Sequence, residues 1–127
     1  MSLWRGVPYE YSRIGNGLVF TAGACPLDGE GNVVAPGDRE KQAAAAADNL
    51  LAALAEARAG GPESLLKTTI FVVAGERADL VRVWDVVATR LGRAPSTLLG
   101  VLFLGYPEQL VEIEAVALFT RPEQSLV

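Results

Sequence analysis

The sequence contains no histidine. Every mechanism resting on an imidazole base is thereby excluded, the Ser/His/Asp and Cys/His arrangements included, and so is every histidine-ligated metal site. Cysteine is nearly absent as well. Cys25 stands alone, so no internal disulfide can form, which fits a reducing compartment. No apolar run approaches the ~18 residues that suggest a membrane span. The opening Met1-Ser2-Leu3-Trp4-Arg5 lacks the basic stretch and apolar core of a secretory signal. The expectation is a cytoplasmic protein with no membrane contact. Positive charge is scarce and scattered, with eleven Lys and Arg against fifteen Asp and Glu. The clustered basic footprint of a nucleic-acid binder is therefore missing. What remains for chemistry is carboxylates, phenols, hydroxyls, one thiol, Lys and Arg, backbone groups and water.

Half of the residues are apolar and a fifth are charged, enough to build a core and too hydrophobic for a disordered chain. Two folding units would each lack an interior at this length, so a single domain over 1–127 is expected. Residues 9–14 and 18–24 read as strands joined by Gly15-Asn16-Gly17, and Val33-Val34 as a short strand after the turn chemistry of 28–32. Asp38 is a plausible N-cap for a helix to about residue 58, closed by Gly60-Gly61. Ala43, Ala47, Leu50, Leu54 and Ala57 share one face of it. Residues 65–73 read as a strand. Residues 76–91 read as a second helix with Leu80, Val83, Trp84, Val87 and Leu91 in one stripe, stopped by Gly92. Residues 97–104 and 110–119 close the pattern as strands. This order predicts an α+β fold, a mixed sheet of about six strands with two helices on one face. The later strands are apolar on both faces, so the uncovered face predicts burial against other subunits.

Three places invite a chemical reading. Glu112 and Glu114 alternate onto one face of the last strand beside Leu110, Val116 and Leu118. They are either the solvated glutamates of an edge strand or, in an interface cleft, a base or water-orienting group. Cys25 has no histidine, second cysteine or basic neighbour to stabilise a thiolate, and reads as packing. The stretch 61–68 superficially resembles a phosphate-binding loop, but Leu66 stands where its second glycine must be. No dinucleotide glycine pattern or internal repeat is present.

Tyr9, Leu18-Val19-Phe20-Thr21-Ala22-Gly23, the helix carrying Gln42 and Asn49-Leu50, Leu66-Lys67-Thr68-Thr69-Ile70-Phe71-Val72 and Val111-Glu112-Ile113-Glu114-Ala115-Val116-Ala117 together resemble the reactive-intermediate deaminase (Rid, YjgF or L-PSP-like) family. The match runs in the correct order over about residues 7–119. It implies a chorismate-mutase-like α+β fold and a homotrimer with three clefts at the subunit boundaries. In the deaminating members those clefts hydrolyse enamines and imines to 2-keto acids and ammonia without a cofactor. By the same resemblance Tyr9 is the site tyrosine, Gly23 with Ala22 the backbone contact, and Glu112 the carboxylate that orients water.

The resemblance breaks at one point. The deaminases carry an arginine in a Pro-Ala-Arg segment that grips the substrate carboxylate, and here Ser96 aligns with it, within Arg93-Ala94-Pro95-Ser96-Thr97-Leu98. Leu98 stands where many deaminases have cysteine, which makes that part of the substrate site more apolar. A bidentate guanidinium contact contributes about 1.5–3 kcal/mol, roughly ten- to a hundredfold in affinity for an imino acid. Arg93 and Arg13 are the cations that could reach round to substitute. The chain thus resembles an arginine-lacking branch, with two main readings. One is an enzyme acting on a small, neutral or weakly charged imine or enamine. The other is a non-catalytic ligand-binding or regulatory trimer. A ribonuclease or translation-inhibitor role, attached to some relatives, is a remote third. No cofactor, metal or nucleic acid is implied.

Overall fold

In the computed structural model of the chain, which describes residues 3–120, the first hairpin turns on Asn16 and Gly17. Both have positive φ, 53° and 76°, the twist that a two-residue hairpin requires and that Asn-Gly supplies at least cost. The flanking strands are β1 (Ser12–Gly15) and β2 (Leu18–Thr21), paired antiparallel from Gly15 and Leu18 outward. The chain then runs through α1 (Arg39–Glu56), β3 (Leu65–Val73), α2 (Arg77–Leu91), β4 (Ser96–Val101) and β5 (Val111–Leu118).

The sheet order is β1-β2-β5-β3-β4. β5 lies between β2 and β3 and is antiparallel to both, so β2 and β3 run parallel and α1 is the crossover between them. α2 likewise joins the parallel pair β3 and β4. Both helices cover one face. Val19, Ile70, Val72, Val111, Ile113 and Ala117 are buried beneath Ala43, Ala46, Ala47, Leu50 and Leu54 of α1 and Val83, Val87 and Leu91 of α2. The alanine-rich start of α1 lets the helix approach the sheet closely. No helix among the described residues is long and apolar enough to cross a membrane.

The expected sixth strand does not form. Val33 makes only an isolated bridge to Leu27, because Pro26 on one side and the turn at Pro36-Gly37 on the other leave too few residues for a ladder. The helix ends match the caps read from sequence with one change. Asp38 Oδ1 accepts the Lys41 N–H at 2.9 Å, but α1 stops at Glu56 and the chain turns at Arg58, with φ of 62°, ahead of the glycines. β4 ends at Val101, so Leu102 and Phe103 leave the sheet and stand 89% and 80% exposed.

Candidate functional site

The pairing of β2 with β5 slips by one residue between Phe20–Val116 and the bridge Ala24–Ile113. This is a bulge, and it leaves the Ala115 N–H without a strand carbonyl. The Thr21 hydroxyl accepts that N–H at 2.9 Å, which explains a threonine at this position. The bulged residues Ala22 and Gly23 pass directly over Glu112. A Cβ on Gly23 would lie 2.2 Å from Glu112 Oε2 and 2.5 Å from its Cδ, so only glycine admits the carboxylate there.

Tyr9 reaches the same place from the other side. The Ala22 N–H donates to Tyr11 O at 2.9 Å, extending the first hairpin past Thr21. Tyr11 in turn packs edge-on against Tyr9, with ring centroids 6.2 Å apart. Tyr9, Ala22, Gly23, Cys25, Gly105, Tyr106 and Glu112 line an open cleft of about 230 Å³. Burial, then the nearby Cys25 and Tyr106, push the Tyr9 phenol well above its ordinary pKa. It is a hydrogen-bond donor at neutral pH, not a phenolate.

Two buried amides of α1 hold the loops that form the walls. Asn49 Nδ2 donates to Cys25 O and Leu27 O, both at 2.9 Å. Gln42 Nε2 donates to Glu108 O at 3.0 Å while its Oε1 accepts the Leu110 N–H at 2.7 Å. They stand two helical turns apart on the same face. The helix thus fastens the segment after β2 and the segment before β5 at one end of the sheet.

Cys25 is both packed and chemical. It is buried, and its thiol donates to Glu112 Oε1 at 3.4 Å. Burial first, and then the Glu112 charge, push the thiol up to about 12, which rules out a thiolate nucleophile at neutral pH. Gln109 also reaches Glu112 Oε1, at 3.2 Å. Neither Gln109 nor Tyr106 was identified from sequence. The available signal for Gln109 was a polar residue three places before the glutamate, at the entry of an otherwise apolar strand.

The remaining expected site residues lie elsewhere within this chain. Ser96 pairs in register with Thr68, and Leu98 with buried Ile70, so both face the helices, across the sheet from Glu112. Ser96 Oγ is engaged by Thr68 Oγ1 at 2.6 Å and donates to Ala94 O at 2.8 Å. Thr97, Leu99 and Val101 are the β4 residues on the face of Glu112, with Leu99 in its row through Phe71. Arg93 lies in the connection before β4, six residues ahead of Leu99, and Arg13 lies in the row of Phe20 and Val116, about 13 Å along β5. Among the described residues, no cation lines the cleft. Glu114 shares the open face with Glu112 but belongs to a separate shallow depression with Phe20, Lys67 and Thr69.

The fold and the cleft define a class, a small α+β domain whose central strand carries a carboxylate into a cleft at one end of a mixed sheet. A family model described as Endoribonuclease L-PSP matches residues 6–119, and the chain belongs to that family, the Rid/YjgF/L-PSP family. Among solved structures, a Yersinia pestis protein of unknown function in the conserved Rid family is 28% identical, with a TM-score of 0.77 and 87% of each chain covered. A Mycobacterium tuberculosis member of the YjgF/YER057c/UK114 family is also 28% identical, with a TM-score of 0.72, over 93% of this chain and 98% of that one. Yeast Mmf1, 18% identical over 92% and 91% of the two chains, shares the fold with a TM-score of 0.80. No curated protein sequence matches the chain.

Proposed function

We propose that this protein hydrolyses a small, neutral or weakly charged imine or enamine in the cytoplasm. In this reading Glu112 orients and deprotonates the attacking water, Tyr9 hydrogen-bonds the substrate, and the clefts are completed at the subunit boundaries of a homotrimer. The observation that carries it is a carboxylate held in a cleft lined by two phenols and a thiol, with no cation among the described residues. A substrate carboxylate would meet the Glu112 charge without a counter-charge among the described residues of the cleft lining, which disfavours 2-imino acids relative to neutral imines.

The step needs no redox partner. Water attacks the imine carbon and the carboxylate takes its proton. Return of that proton to nitrogen gives a carbinolamine, and transfer of its hydroxyl proton to nitrogen by way of the same carboxylate lets the C–N bond break, the electron pair leaving with ammonia as the carbonyl forms. The sum is an imine plus water giving a carbonyl compound plus ammonia. An enamine enters the same path after protonation at carbon. The apolar open face supports the trimer, since Phe20, Leu99 and Leu118 are all exposed on it. The ribonuclease role in the family's description has no comparable support: the sequence lacks histidine and carries a net charge of −4.

The test is consumption of freshly generated 2-aminoacrylate and of neutral imines made in situ by an amine oxidase. Neutral imines are expected to turn over faster, and Glu112→Gln is expected to lower the rate about a hundredfold or more. Full activity in Glu112→Gln would refute the proposal. A wild-type protein that binds these ligands without turnover is instead the ligand-holding trimer.

A further inference from the structure

Gln109 lies in the turn before β5 and is 3% exposed. Its amide orientation is set by its partners. Oε1 accepts the Tyr106 N–H at 3.1 Å, while Nε2 donates to Val111 O at 3.1 Å and to Glu112 Oε1 at 3.2 Å. Exchanging the two atoms would oppose donor to donor at Tyr106 and oxygen to oxygen at Val111. The Cys25 thiol donates to the same Glu112 oxygen, Oε1, at 3.4 Å. Oε2 is the oxygen nearest the position a Gly23 Cβ would take. No described side chain donates to it. One carboxylate oxygen is doubly held and the other is unengaged.

We infer that Gln109 and Cys25 are positioning residues that occupy Oε1 of Glu112 and so commit Oε2 as the oxygen that holds and deprotonates the water. The inference rests on the hydrolytic reading of Glu112 and adds the selection of one oxygen by two side chains outside the resemblance. Gln109 also joins that carboxylate to the Gly105-Tyr106 wall through the Tyr106 N–H. Among the described residues, the titratable groups facing the carboxylate are the Cys25 thiol and the Tyr9 and Tyr106 phenols. None is a cation, so the two donors are what orients the charge.

Gln109→Met keeps the size and removes the amide. It is expected to lower kcat about tenfold, with KM changed by less than about twofold. Gln109→Glu gives a signature that a structural role would not. At neutral pH it sets carboxylate against carboxylate. As the pair takes up a proton, an O–H donor to Oε1 is restored, so this variant's kcat relative to wild type climbs as pH falls.

Two variants with wild-type kcat and flat relative pH profiles, beside an inactive Glu112→Gln, overturn the inference and leave the hydrolytic proposal standing. An active Glu112→Gln sinks the hydrolytic proposal instead. The shared oxygen is then read without turnover, from alkylation of Cys25 by iodoacetamide. Replacing the Glu112 charge by an amide lowers the thiol pKa and speeds alkylation about tenfold for each unit. Unchanged alkylation in Glu112→Gln overturns the arrangement whatever the activity.

Discussion

Gly23 is where a single atom decides the site. A methyl group there would occupy the space of Glu112 Oε2, 2.2 Å away, and must displace either the carboxylate or the bulged strand. Gly23 has no positive φ, so alanine costs little in backbone strain. Gly23→Ala is therefore expected to lower turnover at least about tenfold while moving the melting temperature by only a few degrees. Calorimetry beside imine turnover checks this, and a fully active variant would show that Oε2 is dispensable. At this scale the sequence was legible where a residue's own period or motif carried the information, as for Glu112 in an alternating strand. It was not legible for Cys25. Its chemical partner is a carboxylate 87 residues away, and nothing next to it in the chain announces one.

The elements were read from local signals, and their ends carry much of their stability. At the start of α2, Glu76 and Asp79 form a reciprocal capping box. Asp79 accepts the Gly75 N–H at 2.9 Å and the Glu76 N–H at 3.2 Å, with Arg82 at 2.5 Å. The Gly75 backbone donor first, then Arg82, hold its carboxyl below the ordinary value of 3.8. A depressed folded-state pKa stabilises the fold fully above the unfolded value, and that contribution is lost as pH falls through the folded one. The melting-temperature deficit of Asp79→Asn should accordingly be widest at neutral pH and close as the pH drops below 3.8. Circular dichroism melts over a pH series measure it, and a pH-independent deficit would contradict the charge argument. The strand expected at Val33-Val34 was the element misread. Its β-branched pair met the propensity, but propensity does not supply a partner ladder, and only one bridge forms.

At the scale of the molecule, one sheet face is covered by helices and the other is open and apolar. Phe20 and Leu118 stand on that face, half-exposed and close together across the β2–β5 pair, and Leu102 and Phe103 project beyond β4. An aqueous monomer gains nothing from this arrangement, whereas association buries it at about 25 cal/mol per Å². Sedimentation equilibrium should give three times the chain mass for the wild type. The double variant Phe20→Lys, Leu118→Lys should fall to the chain mass with an unchanged far-ultraviolet spectrum and lose turnover with the completed clefts. A wild type at the chain mass, active as such, would contradict the trimer.

Periodicity, caps and turn chemistry are local properties, written within a few residues of where they act. For that reason the two helices, the Asn16-Gly17 hairpin, the strand carrying Glu112 and the apolar second face were all determined by the sequence alone, whereas the interior place of that strand in the sheet, where an edge strand had stood as an alternative, came only with the pairing. The cleft is different in kind. It depends on a one-residue bulge that carries Gly23 over Glu112, and on Asn49 and Gln42 of α1 fastening two loops from opposite ends of the chain. It also depends on which face each β4 residue takes, since a shift of one residue exchanges Ser96 and Leu98 for Thr97 and Leu99. Register and long-range hydrogen bonds follow from the packing of the whole molecule, and only the tertiary structure decided them.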